Sequence, residues 1–98
     1  MKQFIILLKD KQRGTLSDDL LHAHVKHLKE LKSKNILVIC GPFTDNNGAV
    51  KIIKARNLEE AEFIANWDPF TKNGYYQNYE IHEFIEANEE NNYLLVED

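Results

Sequence analysis

The chain is poor in the residues that mark extracellular, fibrous, membrane or nucleic-acid-binding proteins. It has one cysteine, Cys40, which excludes an internal disulfide and any cysteine-based zinc site. A lone thiol in a reducing compartment reads as a small buried hydrophobe. Its longest apolar runs, residues 4–8 and 36–40, fall far short of the ~20 residues that span a bilayer. Twelve Lys and Arg stand against sixteen Asp and Glu, a net charge of -4, and no basic stripe interleaves with aromatics. Nucleic acid is therefore an unsuitable partner. Met1 is followed at once by a strand-like run, with no charged n-region, apolar h-region or cleavage site. These absences lead to the expectation of a cytoplasmic protein that neither enters nor crosses a membrane. Apart from the adjacent Gly41-Pro42, the four glycines and two prolines stand singly, and no repeat or low-complexity tract appears.

What is there is enough for one core: 98 residues, 43% of them hydrophobic, make a single domain over residues 1–98. Residues 4–8 (FIILL) are a continuous apolar run of strand formers. Thr15 or Ser17 can cap a helix over residues 17–34, with Asp18 and Asp19 favouring its dipole. At 100° per residue with Leu20 at zero, Leu16, Leu20, Leu31, Leu28, Leu21 and Val25 fall between about -40° and about 140°, a single buried stripe. Asn35 ends the helix, residues 36–40 form a second strand, and Gly41-Pro42 stops it. Residues 45–48 (DNNG) read as a turn with Asn-Gly supplying positive φ, leading to a third strand over 49–55. Asn57 and Glu60 resemble a capping box opening a second helix over 58–67, which Pro69 must stop before a loop to Gly74. Residues 75–87 alternate as a long fourth strand, and 93–96 (YLLV) suit a further short one.

The order βαββαβ is an α+β, ferredoxin-like sandwich: right-handed crossovers place both helices on one face of an antiparallel sheet. Tyr75, Tyr79, Ile81 and Ile85 point opposite to Tyr76, His82 and Phe84, and are assigned to the face without helices. A face that apolar calls for a second sheet, hence a homodimer.

Candidate chemistry rests on few residues. On the helical wheel His22 falls near 200° in the polar sector, His27 near 340° at the margin of the apolar stripe, and His24 near 40°, in the middle of that stripe. A histidine there is either a structural one satisfied by a carbonyl or carboxylate, or a general base lining a pocket between helix and sheet. His22 points away from the other two, and no carboxylate of ligand spacing joins them, so no metal is expected. His82 reads as a packed or interfacial histidine. Asp68 reads equally as a helix-stop aspartate or as a functional carboxylate, and Gly41-Pro42 as a strand-end turn or a pocket wall. No nucleophile elbow, phosphate-binding glycine loop or nucleotide fingerprint is present.

Taken together, His24, Gly41-Pro42, residues 45–48, Ala61, Asp68-Pro69-Phe70 and Gly74 resemble the YCII-related family, and more remotely the muconolactone isomerase group. The resemblance spans nearly the whole chain. It implies a dimeric α+β barrel and a histidine and aspartate beside one cavity. Those roles fall on His24 and Asp68, with Gly41, Pro42 and Phe70 at the substrate pocket. Some members of the family are dehydrochlorinases of chlorinated aromatic breakdown products. The chain departs from the pattern at Asn35, where a glycine is usual, but Asn tolerates the same left-handed backbone. The expected function is a cofactor-independent lyase, isomerase or dehydrochlorinase acting on a small cyclic or aromatic acid. The alternatives are a dimeric small-molecule-binding or accessory module without turnover, and a structural dimer.

Overall fold

In a computed structural model the protein is described over residues 1–12 and 16–96. The elements run β1 (Lys2–Lys11), α1 (Asp18–Ser33), β2 (Leu37–Pro42), β3 (Ala49–Ala55), α2 (Leu58–Trp67), α3 (Pro69–Lys72) and β4 (Tyr76–Phe84), followed by a 3₁₀ segment, Glu89–Leu94. The strands form one antiparallel sheet in the order β2-β3-β1-β4, the ferredoxin-like arrangement.

Local chemistry accounts for the boundaries. The Ser17 side chain accepts a hydrogen bond from the Leu20 amide and starts α1; the other candidate cap, Thr15, lies outside the described residues. Asn35 sits at φ 59° after α1, the left-handed backbone a helix end requires and Asn accepts. The Asn57 side chain caps α2 through the Glu60 amide. The return half of the box shifts by one residue, because the Glu60 carboxylate accepts from the Arg56 amide instead. In the β2–β3 turn the positive φ falls on Asn46, at 64°, rather than on the Asn-Gly pair. Gly48 is needed for a different reason: a Cβ there would stand 2.5 Å from the Leu8 carbonyl oxygen. The chain after Asp68 is a one-turn helix, α3, rather than a loop, since Pro69 is well placed at a first helical position.

The core lies between sheet and helices. Phe4, Ile6 and Leu8 of β1, Ile53 and Ala55 of β3, Ala61, Ile64 and Ala65 of α2, and Leu31 of α1 are all buried there. Leu16, Leu20 and Leu28 are half-buried, but the α1 stripe is narrower than expected. Leu21 and Val25 remain 39% and 38% exposed, because the N-terminal half of α1 stands over a cavity instead of closed core.

The sheet faces differ from the expectation. Leu8 is paired with Tyr79 and Ile6 with Ile81, so both β4 residues share the helix-covered face. The Tyr79 hydroxyl donates to Asn66 of α2 at 3.1 Å. Tyr75 packs on Phe70, and Ile85 lies beyond the strand, exposed. The face without helices instead carries Ile5 and Ile52, Leu7 and Val50 as cross-strand pairs, with exposed Ile39 beside them. Alternation within β4 was legible, but only pairing with β1 decides which phase faces inward. His82 is correspondingly not packed; its side chain is 62% exposed near Glu80.

Two further expectations fail. Cys40 is exposed, because β2 is an edge strand and its inner phase opens at the cavity. Residues 93–96 do not form a strand. Asn88 caps the 3₁₀ segment with a reciprocal side-chain box, and Asn92, Tyr93 and Leu94 all have positive φ, which no strand permits.

Candidate functional site

A cavity of about 390 Å³ opens between α1, α3 and the sheet, within the size range of small-molecule sites. Its walls are mostly apolar, with Leu8, Leu16, Leu28, Phe70 and Tyr75 among them, and two of its polar side chains, His24 and Lys51, converge on Asp68.

Asp68 is completely buried at the junction of α2 and α3, where the residue before a proline is held extended, here at ψ 124°. That turn aims the carboxylate back beneath α1. Oδ1 accepts from the Phe70 amide at 2.9 Å and lies 2.8 Å from His24 Nδ1. Oδ2 accepts from Lys51 Nζ at 2.7 Å. Burial pushes the Asp68 carboxyl up, but the His24 hydrogen bond and the Lys51 charge outweigh it and hold the group far below the usual aspartate value. An ionised carboxylate only accepts hydrogen bonds, so the network assigns a proton to His24 Nδ1. The imidazole also stacks on Phe70, with centroids 3.7 Å apart and planes inclined by 7°. One tripeptide, Asp68-Pro69-Phe70, thus fixes both the edge and the face of the ring. The side chain of His24 keeps 16% of its surface accessible, on the cavity it lines.

The residues singled out from sequence come together: His24 and Asp68 are in contact across 44 positions, and Gly41, Pro42 and Phe70 line the same cavity. Lys51 was missed. It occupies the inward phase of β3 between Ala49 and Ile53, where an ammonium needs a buried carboxylate, but the pattern of the strand does not say which phase is inward. Tyr76 is a further wall residue, which alternation had set opposite the face without helices but had not marked as part of a site. It is buried against Phe70, and burial, with Tyr75 and Asp68 nearby, pushes its phenol up, so the hydroxyl stays neutral. Among the described residues no group of three or more His, Cys, Asp or Glu side chains could hold a metal ion, and no helix is long and apolar enough to cross a membrane.

Comparison with known proteins agrees with this architecture. The family model of the YCII-related domain matches residues 2–85. The chain belongs to the YCII-related family. An uncharacterised member of the known proteins, YjpA of Bacillus subtilis, is 37% identical over 51 residues, 52% of this chain and 60% of the relative's length. Among solved structures, 5-chloro-2-hydroxyhydroquinone dehydrochlorinase (TftG) of Burkholderia phenoliruptrix, in complex with 2,5-dihydroxybenzoquinone, superposes with a TM-score of 0.69 at 28% identity. That match covers 85% of this chain and 93% of the dehydrochlorinase. That neighbour is a dehydrochlorinase in complex with a small cyclic molecule.

Proposed function

We propose that this YCII-family protein is a cofactor-independent lyase or isomerase, of the dehydrochlorinase kind, acting on a small cyclic or aromatic acid in which a ring hydroxyl or carboxyl is the acidic group. The observation that carries the reading is the His24–Asp68 contact of 2.8 Å on the wall of a mostly apolar cavity. With Nδ1 committed to Asp68, Nε2 is the ring atom able to take a proton from a ligand, and Asp68 stabilises the imidazolium that forms. Loss of hydrogen chloride from a ring needs such a base to take the proton while the C–Cl bond breaks and chloride leaves with the bonding pair. Phe70 and the Gly41-Pro42 wall would seat the ring. The likeness to a dehydrochlorinase that holds 2,5-dihydroxybenzoquinone supports this substrate class.

The working form in this reading is a homodimer, supported by the apolar Ile5, Leu7, Val50 and Ile52 on the sheet face that no helix covers. Sedimentation at micromolar concentration should give a dimer, and Ile52→Asp should dissociate it; a monomeric wild type removes this part of the reading.

Function is tested by thermal shift with 2,5-dihydroxybenzoquinone and a panel of small aromatic acids, followed by chloride release from chlorinated hydroxyhydroquinones. Wild type should be stabilised by several degrees, and His24→Ala should not be, because only the bound native state gains. Ligand binding that depends on His24 but yields no product would instead identify a binding module without turnover. No stabilisation by any member of the panel would overturn the substrate class.

A further inference from the structure

We propose that Lys51 is a positioning residue: its ammonium, rather than an imidazolium, balances the buried Asp68 carboxylate, so that His24 rests neutral, protonated at Nδ1 and free at Nε2 to meet a ligand. The role rests on the reading of His24 as the base.

Asp68 has no exposed surface and Lys51 only 2%, so the carboxylate must meet its counter-charge inside the protein. Two cations are within reach, one on each oxygen: His24 at Oδ1 and Lys51 at Oδ2. An amine is far the stronger base of the two, so the single negative charge is matched first by the Lys51 ammonium 2.7 Å from Oδ2. A second proton on His24 would place two cations on one carboxylate. Without Lys51 the balance reverses, since the imidazolium becomes the only available partner, and an imidazolium has no lone pair with which to act as a base.

The other groups around His24 do not supply a competing charge of the right sign. On its own helix, His27 is pushed towards the neutral form, by burial first and then by Lys51. From the sheet the cavity receives Lys11 of β1, Cys40 of β2 and Tyr75 and Tyr76 beside β4, and Asp68 is the one carboxylate among its described lining residues. Stability does not call for this arrangement either, because buried ion pairs are often replaceable by apolar side chains at no loss. The lysine's distinctive contribution is to the charge state of its neighbour's neighbour.

The test is a titration of the His24 ring nitrogens by 15N–1H NMR in wild type and Lys51→Gln, with the His24 signals assigned by their absence in His24→Gln. Glutamine can still donate to Asp68 but carries no charge. Wild type should show the neutral Nδ1–H tautomer at pH 7, and Lys51→Gln should raise the titration midpoint by about one pH unit or more. Any turnover should follow, its acidic limb moving to higher pH by the same interval. An unchanged midpoint in Lys51→Gln, or a doubly protonated ring in wild type at pH 7, would overturn the proposal. Should Lys51→Gln not fold, Lys51→Met answers the same question, since it removes the charge while an apolar side chain fills the buried position. The midpoint should again rise by about one unit or more, and an unchanged one overturns the role. The titration needs no substrate, so a protein without turnover still tests Lys51. Conversely, His24-dependent ligand binding with an insensitive midpoint would sink the lysine's role alone.

Discussion

His24 and His27 lie one turn apart on the same helix, yet they occupy different kinds of environment. His24 is stacked on Phe70, bonded to Asp68 and open to the enclosed cavity. His27 lines a groove of about 860 Å³ between α1 and α2, and its Nε2 is buried without a hydrogen-bond partner among the described residues. Both rings leave water at some cost, but only one recovers it. The difference does not come from the helix, which treats the two positions alike. It comes from what the chain delivers opposite them: a carboxylate and an ammonium in one case, the Ile64, Phe63 and Trp67 side of α2 in the other. A histidine on a buried stripe becomes a candidate base when a distant segment supplies its partner.

Removing that partner should produce the largest effect. Asp68→Ala leaves Lys51 as an uncompensated buried charge and should cost about 3–5 kcal/mol, read as a lowered urea midpoint with unchanged slope. A loss below about 1 kcal/mol would mean that Lys51 finds water or another partner, and the contrast with the His27 side would weaken.

His24→Ala should cost about 1–3 kcal/mol and combine with Asp68→Ala non-additively, because the two side chains share one hydrogen bond. Additive losses in a double-mutant cycle would show that the contact contributes nothing of its own.

The pH dependence of stability separates the two histidine environments. The folded Asp68 carboxyl lies below its ordinary value of 3.8, so the unfolded chain takes up the proton first. The stabilisation is complete above that value and is lost as the pH falls through 3.8 and below. Wild type should therefore steepen towards unfolding in acid, between about pH 4 and about pH 2, and Asp68→Asn should not. His27 has a folded pKa below 6.5, chiefly through burial, so the neutral ring is favoured and stability falls as the pH drops below 6.5. That shallower loss should vanish in His27→Leu.

The smallest effect is expected from His27→Leu at neutral pH. Replacing an unpartnered buried nitrogen by an apolar group should leave stability unchanged or raise it by about 1 kcal/mol, with no change in ligand binding at the cavity. A marked loss of binding would join the groove to the cavity and dissolve the distinction between them.

Much of the molecule was legible in advance. β3 at Ala49–Ala55 and α2 at Leu58–Trp67 fall where alternation, the Asn57 cap and Pro69 put them. The pairing of His24 with Asp68 came from the family resemblance together with a histidine in an apolar stripe. Lys51 was not found, although its strand was placed correctly, because its meaning depends on which phase of β3 faces the helices. The same ambiguity inverted the reading of Tyr79 and Ile81.

The sequence by itself determined the succession of elements, their caps and the left-handed Asn35, because helical and strand periods, N-cap hydrogen bonds and proline geometry are set within a few residues of the chain. Tertiary structure alone decided which sheet face is covered, that Cys40 is exposed, and that His24, Lys51 and Asp68 meet at one carboxylate. Those outcomes depend on strand register and on where two crossovers return the chain, and a strand's period of two is indifferent to which of its sides becomes the inside.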